Sequence, residues 1–148
     1  MTNIGVYIPH LSKNEAVIDM TKLLNGAVES NKVSDACVFY DSIGPNDEKY
    51  KFAVFNSADI WNFTGKLITT TIETTAKAIE VGNKFSVFFY YGFEGKKDVL
   101  GLLNVANNKD VEIICRSEDD ANELYRLTGK RSASVVENFD SKILEVIK

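Results

Sequence analysis

Residues 66–91 read KLITTTIETTAKAIEVGNKFSVFFYY. The opening Lys66–Thr69 (KLIT) is short and β-branched, the composition of a strand. Thr70-Thr71-Ile72-Glu73 then has the spacing of a capping box, in which a hydroxyl satisfies a free amide of the first helical turn and a carboxylate reaches back. Ile72, Ala76 and Ile79 recur at helical spacing, and Gly82 supplies a left-handed residue to end the helix. Lys84–Tyr91 (KFSVFFYY) is so continuously apolar that both faces must be covered, as in a central parallel strand. Strand, helix and buried strand joined by short links make a crossover unit. The fold class predicted is α/β.

The same punctuation extends in both directions. Asn3–Ile8 (NIGVYI) reads as a strand closed by Pro9. Ser12-Lys13-Asn14-Glu15 predicts a capped helix to about Ser30, with Ala16, Val17, Met20, Leu24, Ala27 and Val28 on one face. Asp35–Tyr40 (DACVFY) and Tyr50–Phe55 (YKFAVF) are the next two strands, and Gly44, Pro45, Asn46 and Asp47 make a turn cluster between them. Residues 56–65 (NSADIWNFTG) read as a loop with one helical turn.

Beyond Tyr91, the spacing of Val99, Leu102, Leu103 and Ala106 predicts a helix, and Val111–Cys115 (VEIIC) a strand. Ser117 and Asp120 form a third cap for a helix that stops at Gly129. Ser134–Glu137 (SVVE) is the last strand, and Asp140 caps a final helix burying Ile143, Leu144 and Ile147. The whole chain, 1–148, is therefore expected to form one Rossmann-like three-layer α/β/α sandwich with a mostly parallel sheet of about six to seven strands. The helix-free link before the third strand leaves its direction open: a hairpin with the second strand, or an edge strand.

Bulk properties narrow the function classes. A chain of 148 residues buries a real core, removing roughly 70% of its extended surface from water. The net charge is −4, and the 17 basic residues are dispersed, with Lys96-Lys97 and Lys130-Arg131 the only adjacent pairs. A nucleic-acid groove wants a basic stripe, so nucleic acid is not an expected partner. No stretch approaches the roughly 20 apolar residues of a membrane span, and no signal-peptide pattern opens the sequence. Cys37 and Cys115 fall inside apolar strands without a CxxC spacing, which points to buried thiols and a cytoplasmic setting.

In sheets of this kind ligands bind beyond the carboxyl ends of the strands, where the strand order reverses. That rim would hold His10–Ser12, residues 56–64, Thr70-Thr71, Tyr91–Glu94, Arg116-Ser117 and Asn138. His10, the only histidine, can serve as a base or a ligand contact, or be plain surface. Trp61, Phe63, Tyr90, Tyr91 and Phe93 offer aromatic faces for stacking on a ligand or partner, or simply for the protein's own core. Asp59, Glu94 and Asp98 are candidate acids with no fixed pairing. Arg116 can grip a phosphate or carboxylate, or make a structural pair with Glu118 or Asp119. The turn Pro9-His10-Leu11-Ser12-Lys13 contains no glycine, so it cannot readily admit a pyrophosphate, and there is no Walker lysine motif. NAD and ATP are disfavoured, no cofactor is expected, and a lone histidine gives no metal site.

The run VEIICRSEDDANELYRLTGKRSASVVENFDSKILEVI (111–147) resembles the end of the N-terminal half of GT-B-fold glycosyltransferases. The features that carry it are Ile113-Ile114, the cap Ser117, Val135-Val136 and the turn Asn138-Phe139-Asp140. The segment FNSADIWNFTGKLITTTIETTAKA (55–78), followed by an aromatic strand, is similar to small glycosyltransferase-like proteins of tailed bacteriophages. The resemblance implies a domain lacking the half that binds the nucleotide-sugar donor, and one without the glycine-rich turn after the first strand. Such a domain would be non-catalytic alone and bind a sugar, another small molecule or a protein partner through His10, Ser12, Trp61, Tyr91, Glu94 and Arg116. Alternatives are a transferase subunit or minimal transferase using His10, Asp59 or Glu94, and a homo-oligomeric interaction protein. A phage-encoded chain would work in the host cytoplasm.

Overall fold

The structure, a computed structural model, describes residues 3–81, 85–93 and 98–147. Seven strands form a single sheet: β1 (Asn3–Leu11), β2 (Asp35–Ile43), β3 (Ala53–Asn56), β4 (Gly65–Thr69), β5 (Phe85–Tyr91), β6 (Val111–Cys115) and β7 (Ser134–Val135). Their spatial order is β3-β2-β1-β4-β5-β6-β7, and every neighbouring pair is parallel. The helices are α1 (Glu15–Glu29), α2 (Ile72–Val81), α3 (Val99–Ala106), α4 (Glu118–Thr128) and α5 (Ser141–Val146), with a 3₁₀ helix at Ser57–Asn62.

Alternation along the strands divides the core in two. Ile4, Val6, Ile8, Val38, Ile68, Phe88, Tyr90 and Ile114 project to one face, under α1 and α5. Tyr7, Cys37, Phe39, Leu67, Val87, Phe89, Tyr91, Ile113 and Cys115 project to the other, under the 3₁₀ helix and α2–α4. From β1 to β3 the chain steps one way along the sheet, and from β4 to β7 the other. Right-handed crossovers require that reversal to change the covering face, as it does here. This is the Rossmann-like three-layer arrangement expected.

The third strand is a parallel edge strand, not half of a hairpin. The link that brings it there, residues 44–52, takes the place of a helix on the α1 face. Tyr50 and Phe52 pack into that core. The Asn25 side chain of α1 donates to Lys49 O (2.8 Å) and accepts from Lys51 N (2.8 Å), so a side-chain amide pins the link like a neighbouring strand.

Several boundaries differ from the sequence expectation, each for a physical reason. β1 does not stop at Pro9. β4 ends at Thr69, opposite Tyr7, while β1 and β2 stay paired to Leu11 and Ile43, so Pro9 lies where one side of β1 is already an edge. Asn14, not Ser12, caps α1, its side chain accepting from Val17 N at 3.0 Å. The cap of α2 is also one residue later than the Thr70 box. Thr71 Oγ1 accepts from Thr74 N (3.1 Å) while Thr74 Oγ1 accepts from Thr71 N (3.2 Å), a reciprocal box with threonine in place of glutamate. The buried face of α2 is accordingly Ile72, Thr74, Thr75 and Ala78, and Ala76 is exposed. Gly82, the expected stop of α2, lies outside the described residues. In α3 the apolar stripe turns so that Leu102, Val105 and Ala106 are buried and Val99 is exposed. Ser117, Gly129 and Asp140 take the capping positions read from the sequence.

Candidate functional site

The strand order reverses between β1 and β4, and there β1 overshoots its neighbour. Pairing of β1 with β4 ends at Tyr7 and Thr69, and Thr70-Thr71 lead from there into α2. Thr70 Oγ1 donates to Tyr7 O at 3.4 Å. The projecting end of β1 carries His10 and Ser12. The His10 ring is exposed, with Nδ1 2.6 Å from Ser42 Oγ, either atom able to donate. Ser12 Oγ accepts a long contact from Asn14 Nδ2 (3.4 Å), and Gly44 N donates to Leu11 O (2.9 Å). A Cβ on Gly44 would lie 3.0 Å from His10 Nε2 and 3.2 Å from the Ser12 Cβ, so glycine lets this turn sit against both side chains.

A second polar group lies beside it on the α2 face. Tyr7 OH donates to Asp41 Oδ1 (2.7 Å), and Lys77 Nζ reaches Asp41 Oδ2 (3.2 Å) and Glu73 Oε1 (3.1 Å). Burial, then the hydrogen bond and charge of Asp41, push the Tyr7 hydroxyl up to about 12, so it stays a neutral donor. Burial alone would raise the Asp41 carboxyl, but hydrogen bonds from Tyr7, Ser57 and Lys77 outweigh it and hold the group below its usual range. Glu73, then Asp41, raise the Lys77 ammonium above its ordinary value. Sequence reasoning passed over Tyr7, Asp41 and Lys77, and took in Ser57 only within the rim stretch 56–64. The one available signal was the Glu73–Lys77 spacing of a helical ion pair.

On the far side of α1, Arg116 pairs with Glu15 and lies 4.7 Å from the centre of the Phe93 ring. The expected partners Glu118 and Asp119 are not used, because Arg116 turns back over the end of β5 while they head α4. Its backbone N–H donates to Tyr91 O at 2.9 Å. The guanidinium thus ties the first turn of α1 to the ends of β5 and β6.

The remaining candidates part company. Tyr91 is buried against Phe89 in the α2–α4 core, its ring 5.8 Å away and edge-on, so alternation takes it off the rim. Tyr90 is buried on the opposite face, where its hydroxyl donates to Val136 O (2.6 Å) and its ring meets Phe93 and Phe139. Phe63 is buried, whereas Trp61 is 60% exposed. Asp98 is the cap of α3, accepting from Gly101 N at 3.1 Å. Asn138 is exposed, in the turn before α5.

Glu94 lies outside the described residues. Asp59 does not share the rim. The 3₁₀ helix carries the chain back along the sheet, and Asp59 lines a cavity with Asn3, Asp35 and Ala53 at the opposite ends of the strands. Seven residues of extended β1 separate that end from His10, roughly 23 Å at 3.3 Å per residue. His10 and Asp59 cannot serve one reaction centre.

Cys37 and Cys115 are buried free thiols, pushed up to about 12 and about 11, chiefly by burial. Among the described residues no group of three or more His, Cys, Asp or Glu side chains is placed to hold a metal ion, and no helix is long and apolar enough to cross a membrane.

What the rim offers chemically is hydrogen bonding: the His10 ring and the Ser12 and Thr71 hydroxyls. Its charged groups are largely engaged with one another. No protein-family model, curated protein or solved structure matches this chain.

Proposed function

We propose that this chain is a small ligand-binding domain of glycosyltransferase-like ancestry, without catalysis of its own, that holds a sugar or similar polar small molecule at the β1/β4 rim around His10 and Ser12. The observation carrying the reading is the reversal of strand order between β1 and β4, with β1 projecting past the end of β4. Binding is favoured over turnover because Asp41, Lys77, Tyr7, Arg116 and Glu15 are held in mutual contacts. The ancestry rests on the resemblance of residues 111–147 and 55–78, and the binding role does not depend on it.

Thermal denaturation with a panel of sugars, nucleotides and nucleotide-sugars tests the reading. A ligand at a hundred times its Kd adds about 2.7 kcal/mol, which raises Tm by several degrees in a domain of this size. The expected result is such a rise with at least one sugar-bearing compound, lost in the His10→Ala, Ser12→Ala double variant. A flat panel, or a rise that survives in the variant, would remove this site. Turnover of a nucleotide-sugar would instead make the chain a transferase.

A second reading, a protein that works by self-association, is favoured by the exposure of Trp61 near the β3 edge. Sedimentation of the Trp61→Ala variant decides it. Loss of an oligomer formed by the parent chain would support it.

A further inference from the structure

At the end of the sheet opposite the rim, no α-helix among the described residues lies over β2 and β3 on the α2–α4 face. Only the 3₁₀ helix crosses there, and beneath it lies a cavity of about 400 Å³. Phe39 and Cys37 of β2, Phe55 of β3 and Phe63 make its apolar wall. The Phe39 ring meets Phe55 at 5.9 Å and Phe63 at 5.5 Å, the latter edge-on; Phe39 and Phe63 are buried in this cluster, and Phe55, 41% exposed, is the accessible ring of the three. Asp35 and Asp59 line it with Asn3, Asn62 and Thr64, and among the described residues no Lys, Arg or His lines it. Of the two lysines nearest the lining in sequence, Lys66 is turned to the other face of the sheet, over Phe88 at 5.4 Å, and Lys51 pairs with Glu29. Asp59 makes no ion pair among the described residues.

We infer that this cavity is a binding site for a small organic cation carrying an alkylated ammonium group, independent of the rim. The chemistry is complementary at two ranges. The accessible Phe55 ring attracts a cation whose alkyl groups also gain from leaving water against the apolar wall, and an alkylated ammonium loses less hydration on entering than a primary one. The two carboxylates in the lining supply the opposite charge and disfavour anions. The thiol at the wall is no reactive group there, since burial keeps Cys37 protonated. The cavity volume, at the small end for ligand sites, suits a compact ammonium compound more than a nucleotide.

Trp61, in the same 3₁₀ helix as Asp59 and the only tryptophan of the chain, reports on the site by its fluorescence. The experiment is a titration of the full chain with choline and with benzyltrimethylammonium, set against the uncharged isostere 3,3-dimethylbutanol. The expected result is saturable binding of both cations, at least tenfold weaker binding of the isostere, and about tenfold loss of cation affinity in Asp59→Asn. Asp59 is exposed, so this variant is expected to fold, which its circular dichroism and Tm verify. His10→Ala should bind the cations like the parent, which separates this site from the rim. No saturable binding by the parent, equal binding of cation and isostere, or undiminished affinity in a folded Asp59→Asn variant would each overturn the proposal.

Discussion

The two halves of the sheet are covered differently. From β4 to β7 each connection carries a helix, and Leu67, Phe89, Ile114 and Cys115 are sealed from solvent. From β2 to β4 the connections are an extended link and a 3₁₀ helix, and there Phe55 is 41% exposed and Trp61 more so. The apolar residues of the two halves are similar in kind. What differs is whether a long amphipathic element lies over them, because a helix of two or more turns shields a strip of sheet that a 3₁₀ turn cannot. Missing cover leaves a cavity and exposed aromatic rings, features that favour contacts with other molecules.

Truncation is the most forceful way to break that comparison. Phe89→Ala in β5 should cost about 3–5 kcal/mol by opening a sealed cavity, whereas Phe55→Ala in β3 should cost about 1 kcal/mol or less. Urea unfolding measures both. Equal losses would mean the β3 side is as well packed as the centre.

Glycines give a second contrast. Gly65, at the start of β4, has φ +132°, and a Cβ there would come within 2.4 Å of Asn3 O. Gly65→Ala should therefore lose about 1–3 kcal/mol or more. Gly26, in the last turn of α1, has open space where a Cβ would stand, with nothing within 4 Å, so Gly26→Ala should gain about 0.5 kcal/mol. Thermal denaturation of the pair would show opposite signs.

Legibility followed the same division. The second half was readable because α2, α4 and α5 announce themselves through caps, at the Thr70-Thr71 stretch, Ser117 and Asp140, α3 through its apolar spacing, and each strand through an apolar run; the α3 cap, Asp98, was read only as an acid. Even there, cap position is fixed by which side chain reaches an amide: Asn14 and Thr71 won over Ser12 and Thr70. The first half was harder because β3 is held in place by the Asn25 clamp and by pairing with β2, both non-local contacts. Of the candidate site, His10 and Ser12 were placed by strand order alone. Asp59 and Trp61 were misplaced because nothing local shows that residues 57–62 run back across the sheet. Tyr7 and Asp41 were missed because their partnership spans two strands.

Alkaline pH should bring a graded loss of stability. The folded protein raises Tyr7 to about 12, Cys37 to about 12 and Cys115 to about 11, and also raises Tyr90. For a raised pKa the stabilisation is complete below the unfolded value and lost as pH climbs through the folded one. Unfolding free energy should therefore fall from about pH 9 to about 12. Tyr7→Phe should make that decline shallower, as read by urea unfolding at each pH. Asp41, lowered in the fold, works in the other sense: its contribution is present at neutral pH and is lost as pH falls below about 4.

The smallest expected difference concerns the start of α1. Asn14→Ala should cost about 1 kcal/mol through the lost cap, and Ser12→Ala only a few tenths. The reverse order would return the cap to Ser12.

Backbone NMR contacts across β1 test the account most directly, since the rim exists only if β1 stands between β2 and β4. The expected result is parallel cross-strand contacts from Val6 to Val38 on one side and to Ile68 on the other. Contacts showing β1 at a sheet edge, or antiparallel to either neighbour, would contradict it.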